Sequence, residues 1–150
     1  MYEHRKLKVE RTAHYHTIGE ANNNVTRLVI ACHGQGQRSQ FFVRRFDVLD
    51  DGKTFVIAPE GLSKYYLNGF SGNVGATWMT KDDRLDEIAD YANFLQQLYD
   101  KYVPLLDGNV EITLLGFSQG CATVIRWAME KFPKVDRFIL FAGMVPEDLD

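Results

Sequence analysis

Apolar and polar positions change their period several times along the chain, and each change marks a new element. Lys6, Lys8 and Glu10 alternate with Leu7 and Val9, which predicts a half-buried strand over residues 6–11. Residues 13–18 follow as its antiparallel hairpin partner. The three asparagines at 22–24 read as a turn, because Asn tolerates left-handed backbone angles. Residues 27–32, Arg-Leu-Val-Ile-Ala-Cys, are almost continuously apolar, as expected for a strand covered by helices on both faces. A Gly-rich turn at 33–37 leads into a helix over about 39–49, ended by Asp50-Asp51-Gly52. Residues 54–58 form the next buried strand, closed by Pro59. Residues 60–79, rich in glycine and aromatics, read as one long loop of the kind that is functional or disordered.

The second half has clearer periodicity. Thr80 and Asp83 have capping-box spacing, with Asp in place of the usual Glu or Gln. Leu85, Ile88, Ala92, Leu95, Leu98, Tyr99 and Tyr102 then recur at helical spacing, which predicts an amphipathic helix lying on a sheet. Residues 110–115 form a strand, 121–132 a helix stopped by Pro133, and 137–142 a last strand. No internal repeat or domain linker breaks the pattern. Strands alternating with helices predict a single α/β domain, its sheet mostly parallel with an antiparallel N-terminal hairpin. Ligands on such sheets bind at the carboxyl ends of the strands. The turns after residue 32, after residue 58, at Ser118 and at Gly143 should therefore crowd onto one edge.

Composition narrows the partners more than the fold. Hydrophobic residues make up 45% and charged residues 25%, the ordinary balance of a globular protein. The net charge of −3 argues against nucleic acid or an anionic membrane surface as the main partner. The basic cluster at 4–8 is interleaved with apolar residues and reads as a strand face rather than a binding tail. No apolar run reaches the length of a membrane span, and the polar start at residues 1–5 does not look like a signal peptide, so a cytoplasmic location is expected. The two cysteines, Cys32 and Cys121, both fall beside predicted active-site turns and are expected to be reduced and buried. With two cysteines and no C-x-x-C, no cysteine-based zinc site is expected.

The chemistry concentrates at Gly116-Phe117-Ser118-Gln119-Gly120. A G-x-S-x-G sequence between an apolar strand and a helix makes a nucleophile elbow, in which the serine sits on a sharp turn above the sheet. Glycines flank it because side chains there would collide with neighbouring elements. The helix behind Ser118 favours developing negative charge through its N-terminus. A serine nucleophile also needs oxyanion donors, a base and a group that orients the base. The backbone N–H of Gln119 is one candidate donor, and that of Gln35, between Gly34 and Gly36, is the other.

Four stretches taken together resemble the phospholipase/carboxylesterase family of α/β-hydrolases, which includes the acyl-protein thioesterases. They are His33-Gly34-Gln35-Gly36-Gln37, Ala58-Pro59-Glu60-Gly61-Leu62-Ser63, Gly72-Asn73-Val74-Gly75-Ala76-Thr77-Trp78 and the elbow itself. The resemblance is closest to the bacterial esterase-like branch and runs from about residue 5 to the C-terminus. It implies an α/β-hydrolase fold and hydrolysis of small carboxylic esters, thioesters or lysophospholipids without a cofactor. It also implies that Ser118 is the nucleophile and that Gln35 and Gln119 form the oxyanion hole. His33, Gly34, Gly36, Trp78, Tyr66 and Phe70 are the candidate substrate-contacting residues, with Tyr65, Tyr66, Phe70 and Trp78 reading as an apolar wall, as packing of the loop onto the core, or as both. Glu60 reads equally as a binding group or as a cap for the loop.

The sequence departs from this pattern in one respect. In the fold the triad runs Ser, then Asp or Glu, then His. Here His4, His14, His16 and His33 all precede Ser118. The resemblance places the acid after strand 137–142 and the histidine later still, so the last strands and helices of the fold are expected to be missing and the chain alone nearly inactive. His33 reads as a structural hydrogen-bonder in its turn rather than as a displaced base, and Asp148 as a solvated carboxylate rather than a displaced acid. Strand 137–142 becomes an exposed apolar edge that invites pairing with a second copy or a partner chain. A non-catalytic binding or assembly module, and one half of a two-chain esterase, are therefore the competing readings.

Overall fold

The structure is a computed structural model that describes residues 1–143 and 145–146. A five-stranded sheet runs through it in the order β1 (Tyr15–Ile18), β3 (Thr54–Pro59), β2 (Arg27–Cys32), β6 (Glu111–Phe117) and β7 (Arg137–Phe141). All neighbouring strands are parallel except β1, which runs antiparallel to β3. The central strands are the apolar ones. Leu28, Ile30 and Cys32 of β2 and Ile112 and Leu114 of β6 have no appreciable exposure. Burial on both faces is what a near-continuous Val/Ile/Leu run specifies.

Two long helices enclose the core. In α2 (Arg84–Tyr102) the buried stripe is Ile88, Tyr91, Ala92, Leu95, Leu98 and Tyr99, the 3–4 spacing of a single helix face. Leu85, expected on that stripe, is exposed. The capping box does not form either. Asp83 takes a left-handed conformation (φ 51°) without a side-chain cap, and Glu87 Oε2 instead accepts the Thr80 N–H at 3.2 Å. The second long helix, α3 (Gln119–Lys131), follows Ser118 and ends at Phe132 in left-handed geometry just before Pro133. Trp127 joins the two helices: its indole N–H donates to Gln96 Oε1 at 2.9 Å, and its ring meets Tyr99 edge-on at 6.1 Å. The predicted helix at 39–49 is only four residues of α-helix, α1 (Ser39–Phe42), tightening into a 3-10 segment over Val43–Leu49.

Two further expectations change. Residues 6–11 form no strand, and β1 takes β3 as its antiparallel partner instead. Alternation of only two apolar residues gives too little surface to fix a strand; Leu7 and Val9 are exposed, and the segment touches α2 through a surface ion pair, Lys6 to Asp86 at 3.1 Å. Conversely, the 60–79 segment is not structureless. It folds into a hairpin of β4 (Ser63–Tyr66) and β5 (Val74–Thr77), which pair antiparallel from Ser63↔Thr77 to Tyr66↔Val74. Among the described residues no helix is long and apolar enough to cross a membrane.

Among the described residues β1 and β7 are the two edges of the sheet, and β7 is the more exposed. All five residues of β7 are exposed, with Phe138 at 44%, Ile139 at 41%, Leu140 at 38% and Phe141 at 64%. β7 is nevertheless held in register by β6. The Asp136 carboxylate accepts the Ile112 N–H at 2.8 Å, while the Asp136 N–H donates to the Ile112 carbonyl at 2.8 Å.

Helix α3 meets the sheet at a glycine. A Cβ on Gly120 would overlap the Cys32 carbonyl, and one on Gly116 would lie 2.5 Å from the Gly120 carbonyl. Gly120→Ala is predicted to cost about 1–3 kcal/mol or more by forcing helix and strand apart. Gly108→Ala, where a Cβ meets open space, serves as the control with little change. Urea unfolding of both variants checks this; equal midpoints would refute the close-packing account.

Candidate active site

The tip of β6 delivers Ser118 to the surface. The strand ends at Phe117, α3 begins at Gln119, and the intervening Ser118 has φ 54° and ψ −116°. A non-glycine residue held there stores on the order of 1–3 kcal/mol of strain, which persists only where the surroundings over-determine it. They do so here. The Ser118 N–H donates to the Phe141 carbonyl at 2.9 Å, and the Ser118 carbonyl accepts the Cys121 N–H at 3.0 Å. A Cβ on Gly143 would come within 2.6 Å of the Ser118 carbonyl. The side chain itself is exposed, and its hydroxyl has no hydrogen-bond partner among the described residues. It stands at the N-terminus of α3, where the helix dipole favours negative charge.

The turn after β2 lies directly against this serine. A Cβ on Gly34 would sit 3.1 Å from the Ser118 Cβ. The turn is closed internally by Gln37, whose N–H donates to the Gly34 carbonyl at 3.2 Å and whose side-chain oxygen accepts the Gly34 N–H at 2.7 Å. It is pinned from outside by β5: the Gly36 N–H donates to the Ala76 carbonyl at 2.8 Å, and the Ala76 N–H to the Gln37 carbonyl at 3.0 Å. Gly36 needs its positive φ of 84°, and Gly75 must lack a Cβ, which would lie 2.6 Å from the Gly36 carbonyl. The Gln35 and Gln119 N–H groups are left over. Neither donates to any atom of the described residues.

His33 is wholly buried beneath this turn. The Gly61 N–H can only donate, so His33 Nε2 accepts from it at 2.9 Å, and Nδ1 carries the proton to the Gly34 carbonyl at 2.7 Å. With both ring nitrogens engaged, His33 is a structural member of the turn. Burial lowers its pKa, only partly opposed by the Gly34 carbonyl and the Glu60 charge. As a substrate contact it must be corrected, because it presents no polar atom to a ligand. Trp78 needs the same correction. It is 1% exposed, stacks on His33 at 5.1 Å and donates its indole N–H to the His33 carbonyl at 2.9 Å, so it is the floor of the turn and not a wall of an open pocket. Gly34 is buried and serves as spacing for the serine, while Gly36 is half-buried. Tyr66 and Phe70, on the β4–β5 hairpin, are 49% and 96% exposed. Asp148 lies outside the described residues.

Two side chains tie the segments around the turn together, the first of them unread in the sequence. The first is the Gln119 side chain. Its oxygen accepts the Trp78 N–H at 3.0 Å, and its amide nitrogen donates to the Met79 carbonyl at 2.9 Å, to Thr77 Oγ1 at 3.0 Å and to Gln35 Oε1 at 3.3 Å. No local sequence signal announces this, because the partners are about 40 or more residues away. The second is Glu60, which binds and caps within the protein itself. One carboxylate oxygen accepts Arg38 Nε at 2.8 Å and the Ser39 N–H at 3.0 Å, capping α1, and Lys64 lies 3.5 Å from the other. Burial pushes the carboxyl pKa up, but the bonds from Arg38 and Ser39 and the charges of Arg38 and Lys64 outweigh it and hold the group below the ordinary range. Cys32 and Cys121 are free, buried thiols whose pKa values burial raises. Among the described residues no group of three or more His, Cys, Asp or Glu side chains gathers as a metal site.

Two outcomes follow from this geometry. Gln119→Leu strands the Trp78 N–H, while the Met79 carbonyl keeps the Thr77 hydroxyl at 3.1 Å, and should cost about 1–3 kcal/mol, read by urea unfolding; a neutral result would remove the side chain's bridging role. The folded pKa of His33 lies below its free value of 6.5, so the stability it contributes is full above that pH and is lost as pH falls. Nitrogen-detected NMR of the imidazole should therefore show His33 neutral and protonated on Nδ1 at pH 6, and a normal midpoint near 6.5 would contradict the assignment.

Comparison with known proteins places the fold. The phospholipase/carboxylesterase family matches residues 13–149. No curated protein matches the chain. Among solved structures, the chain is similar to a phospholipase/carboxylesterase from Dyadobacter fermentans, with 15% identity and a TM-score of 0.65 over 92% of this chain and 63% of that one. It is similar to acyl-protein thioesterase 2 of Zea mays, with 17% identity and a TM-score of 0.58 over 91% and 64% of the two chains. It is also similar to a monoacylglycerol lipase from Paleococcus ferrophilus, with 16% identity and a TM-score of 0.56 over 89% and 44%. The chain therefore spans 44–64% of the length of these three neighbours, and identities this low speak for the fold alone. With the family matched from residue 13 to residue 149, the chain belongs to the phospholipase/carboxylesterase family of α/β-hydrolases.

Proposed function

We propose that this chain is the nucleophile-bearing part of a serine hydrolase acting on small carboxylic esters, acyl thioesters or lysophospholipids. One observation carries the reading: an exposed Ser118 with φ 54° stands beside two backbone N–H groups, of Gln35 and Gln119, that donate to nothing else among the described residues. In this reading Ser118 Oγ attacks the ester carbonyl carbon. The carbonyl oxygen takes the negative charge and accepts hydrogen bonds from the two N–H groups. The alcohol or thiol leaves as the carbonyl reforms, giving an acyl-serine that water then hydrolyses. Gly34 and Gly36 shape the hole, and Tyr66 and Phe70 offer apolar surface beside it. No cofactor enters. A cytoplasmic site of action, supported by two free buried cysteines, and one α/β-hydrolase domain belong to the same proposal.

The step that lacks a residue is removal of the serine proton. His33 is committed to Gly61 and Gly34, and no other described histidine hydrogen-bonds to Ser118. In a serine protease, losing the catalytic histidine costs about 10⁶-fold in turnover. The chain alone is thus proposed to turn over very slowly and to depend on an acid and a histidine supplied from elsewhere. The bare β7 edge favours a second reading, in which the fold works as a binding or assembly module, or as one half of a two-chain enzyme, through Phe138–Phe141.

Incubation with p-nitrophenyl acetate, with and without added imidazole, followed by peptide mass spectrometry, tests the first reading. Ser118 should become acetylated, faster with imidazole, and the signal should vanish in Ser118→Ala. Acetylation confined to lysines, with the Ser118 peptide unmodified, would leave the non-catalytic reading.

A further inference from the structure

A groove of about 610 Å³ opens between the turn after β2, α1 and the end of the β4–β5 hairpin. Its size is within the usual range for small-molecule sites. One part is apolar, from Phe41, Phe42, Leu67 and Val74. The other part carries Arg38 and Arg45, and no carboxylate lines the groove, although the chain as a whole is acidic at −3. The two arginines differ. Arg38 has its charge matched by Glu60 at 2.8 Å. Arg45 is exposed, lies over the Phe117 ring at 5.7 Å and has no acidic partner among the described residues.

The groove belongs with the reaction centre by chain position. Phe117, under Arg45, immediately precedes Ser118, and Phe42 lies 6.4 Å from the same ring. Gly36 and Gln37, which line the groove, are the residues after Gln35, and Gln37 holds the Gly34 N–H that abuts the serine. An unmatched guanidinium over an aromatic ring, beside apolar wall, is complementary to a molecule with a carboxylate or phosphate at one end and a short hydrocarbon chain at the other.

We infer that this groove binds small anionic amphiphiles, with Arg45 pairing the carboxylate or phosphate and Phe41, Phe42, Leu67 and Val74 covering the chain, so that the substrate is an ester carrying a negative charge. Only the last step, from ligand to substrate, rests on the hydrolase reading. The groove as a binding site stands independently of it.

Isothermal titration of the full chain with n-octyl phosphate and with the neutral n-octyl glucoside, at low salt, tests the inference. The phosphate should bind at least about tenfold more tightly, the scale of one charge-assisted hydrogen-bonded pair. Arg45→Gln should bring the two ligands within about twofold of each other, and Arg45→Lys should keep most of the preference. Ser118→Ala should bind as the wild type does. Arg45 is exposed, so a matching thermal melt will show that the Gln variant is folded. Equal binding of the two amphiphiles, a preference that survives Arg45→Gln, or no binding of either would overturn the site. Arg45-dependent phosphate binding with an unacylated Ser118 would keep the site and remove the hydrolase reading, whereas acylation without that binding would do the reverse.

Discussion

The constraint on which the rest depends is the absence of side chains at four glycines around one serine. Gly34, Gly116, Gly120 and Gly143 each stand where a Cβ would press on the elbow or on the strand beneath it. Their contacts let β2, β6 and α3 approach at backbone distance. That approach holds Ser118 at a φ it would not otherwise keep, with its hydroxyl outward and the N-terminus of α3 behind it. The same closeness brings the turn after β2 against the serine, and the Gln35 and Gln119 N–H groups find no acceptor among the described residues. The proposed nucleophile and oxyanion donors would thus be consequences of packing, set before any ligand arrives.

A second layer of polar contacts fixes what the glycines allow. Gln119 stitches α3 to the segment after β5 and to Gln35, while Glu60 ties the end of β3 to the start of α1. His33 and Trp78 stack beneath the turn as its floor. Each of these groups is polar, buried or half-buried, and satisfied within the protein, which explains why the histidine in the turn after β2 has no free ring nitrogen. The structural role of His33 is read from its hydrogen-bond inventory rather than from its residue type.

Much of this was legible from residue order. The apolar run of β2, the 3–4 stripe of α2 and the Gly-x-Ser-x-Gly between strand and helix have local signals, and they fold as the sequence predicts. What sequence hid was decided by distance. The β4–β5 hairpin has strands of only four residues, with Gly75 chosen for its approach to Gly36, so its apolar pattern is too short to read. The strand expected over 6–11 failed for the opposite reason, since Leu7 and Val9 alternate correctly but have no surface to cover. Trp78 looked like a pocket wall because aromatic residues in loops serve both purposes, and only burial tells them apart. The polar links from Gln119 and Glu60 span about 20 to 80 residues and leave no trace in either neighbourhood.

The central claim is that nucleophile and oxyanion donors are preformed on this chain. It is tested most directly by backbone amide NMR during titration with phenylboronic acid at pH 8, where a tetrahedral boronate on Ser118 mimics the charged intermediate. The account predicts that the Gln35 and Gln119 amides shift together at one titration midpoint, and that neither shifts in Ser118→Ala. Unchanged Gln35 and Gln119 amides, or shifts that persist without the serine, would contradict it.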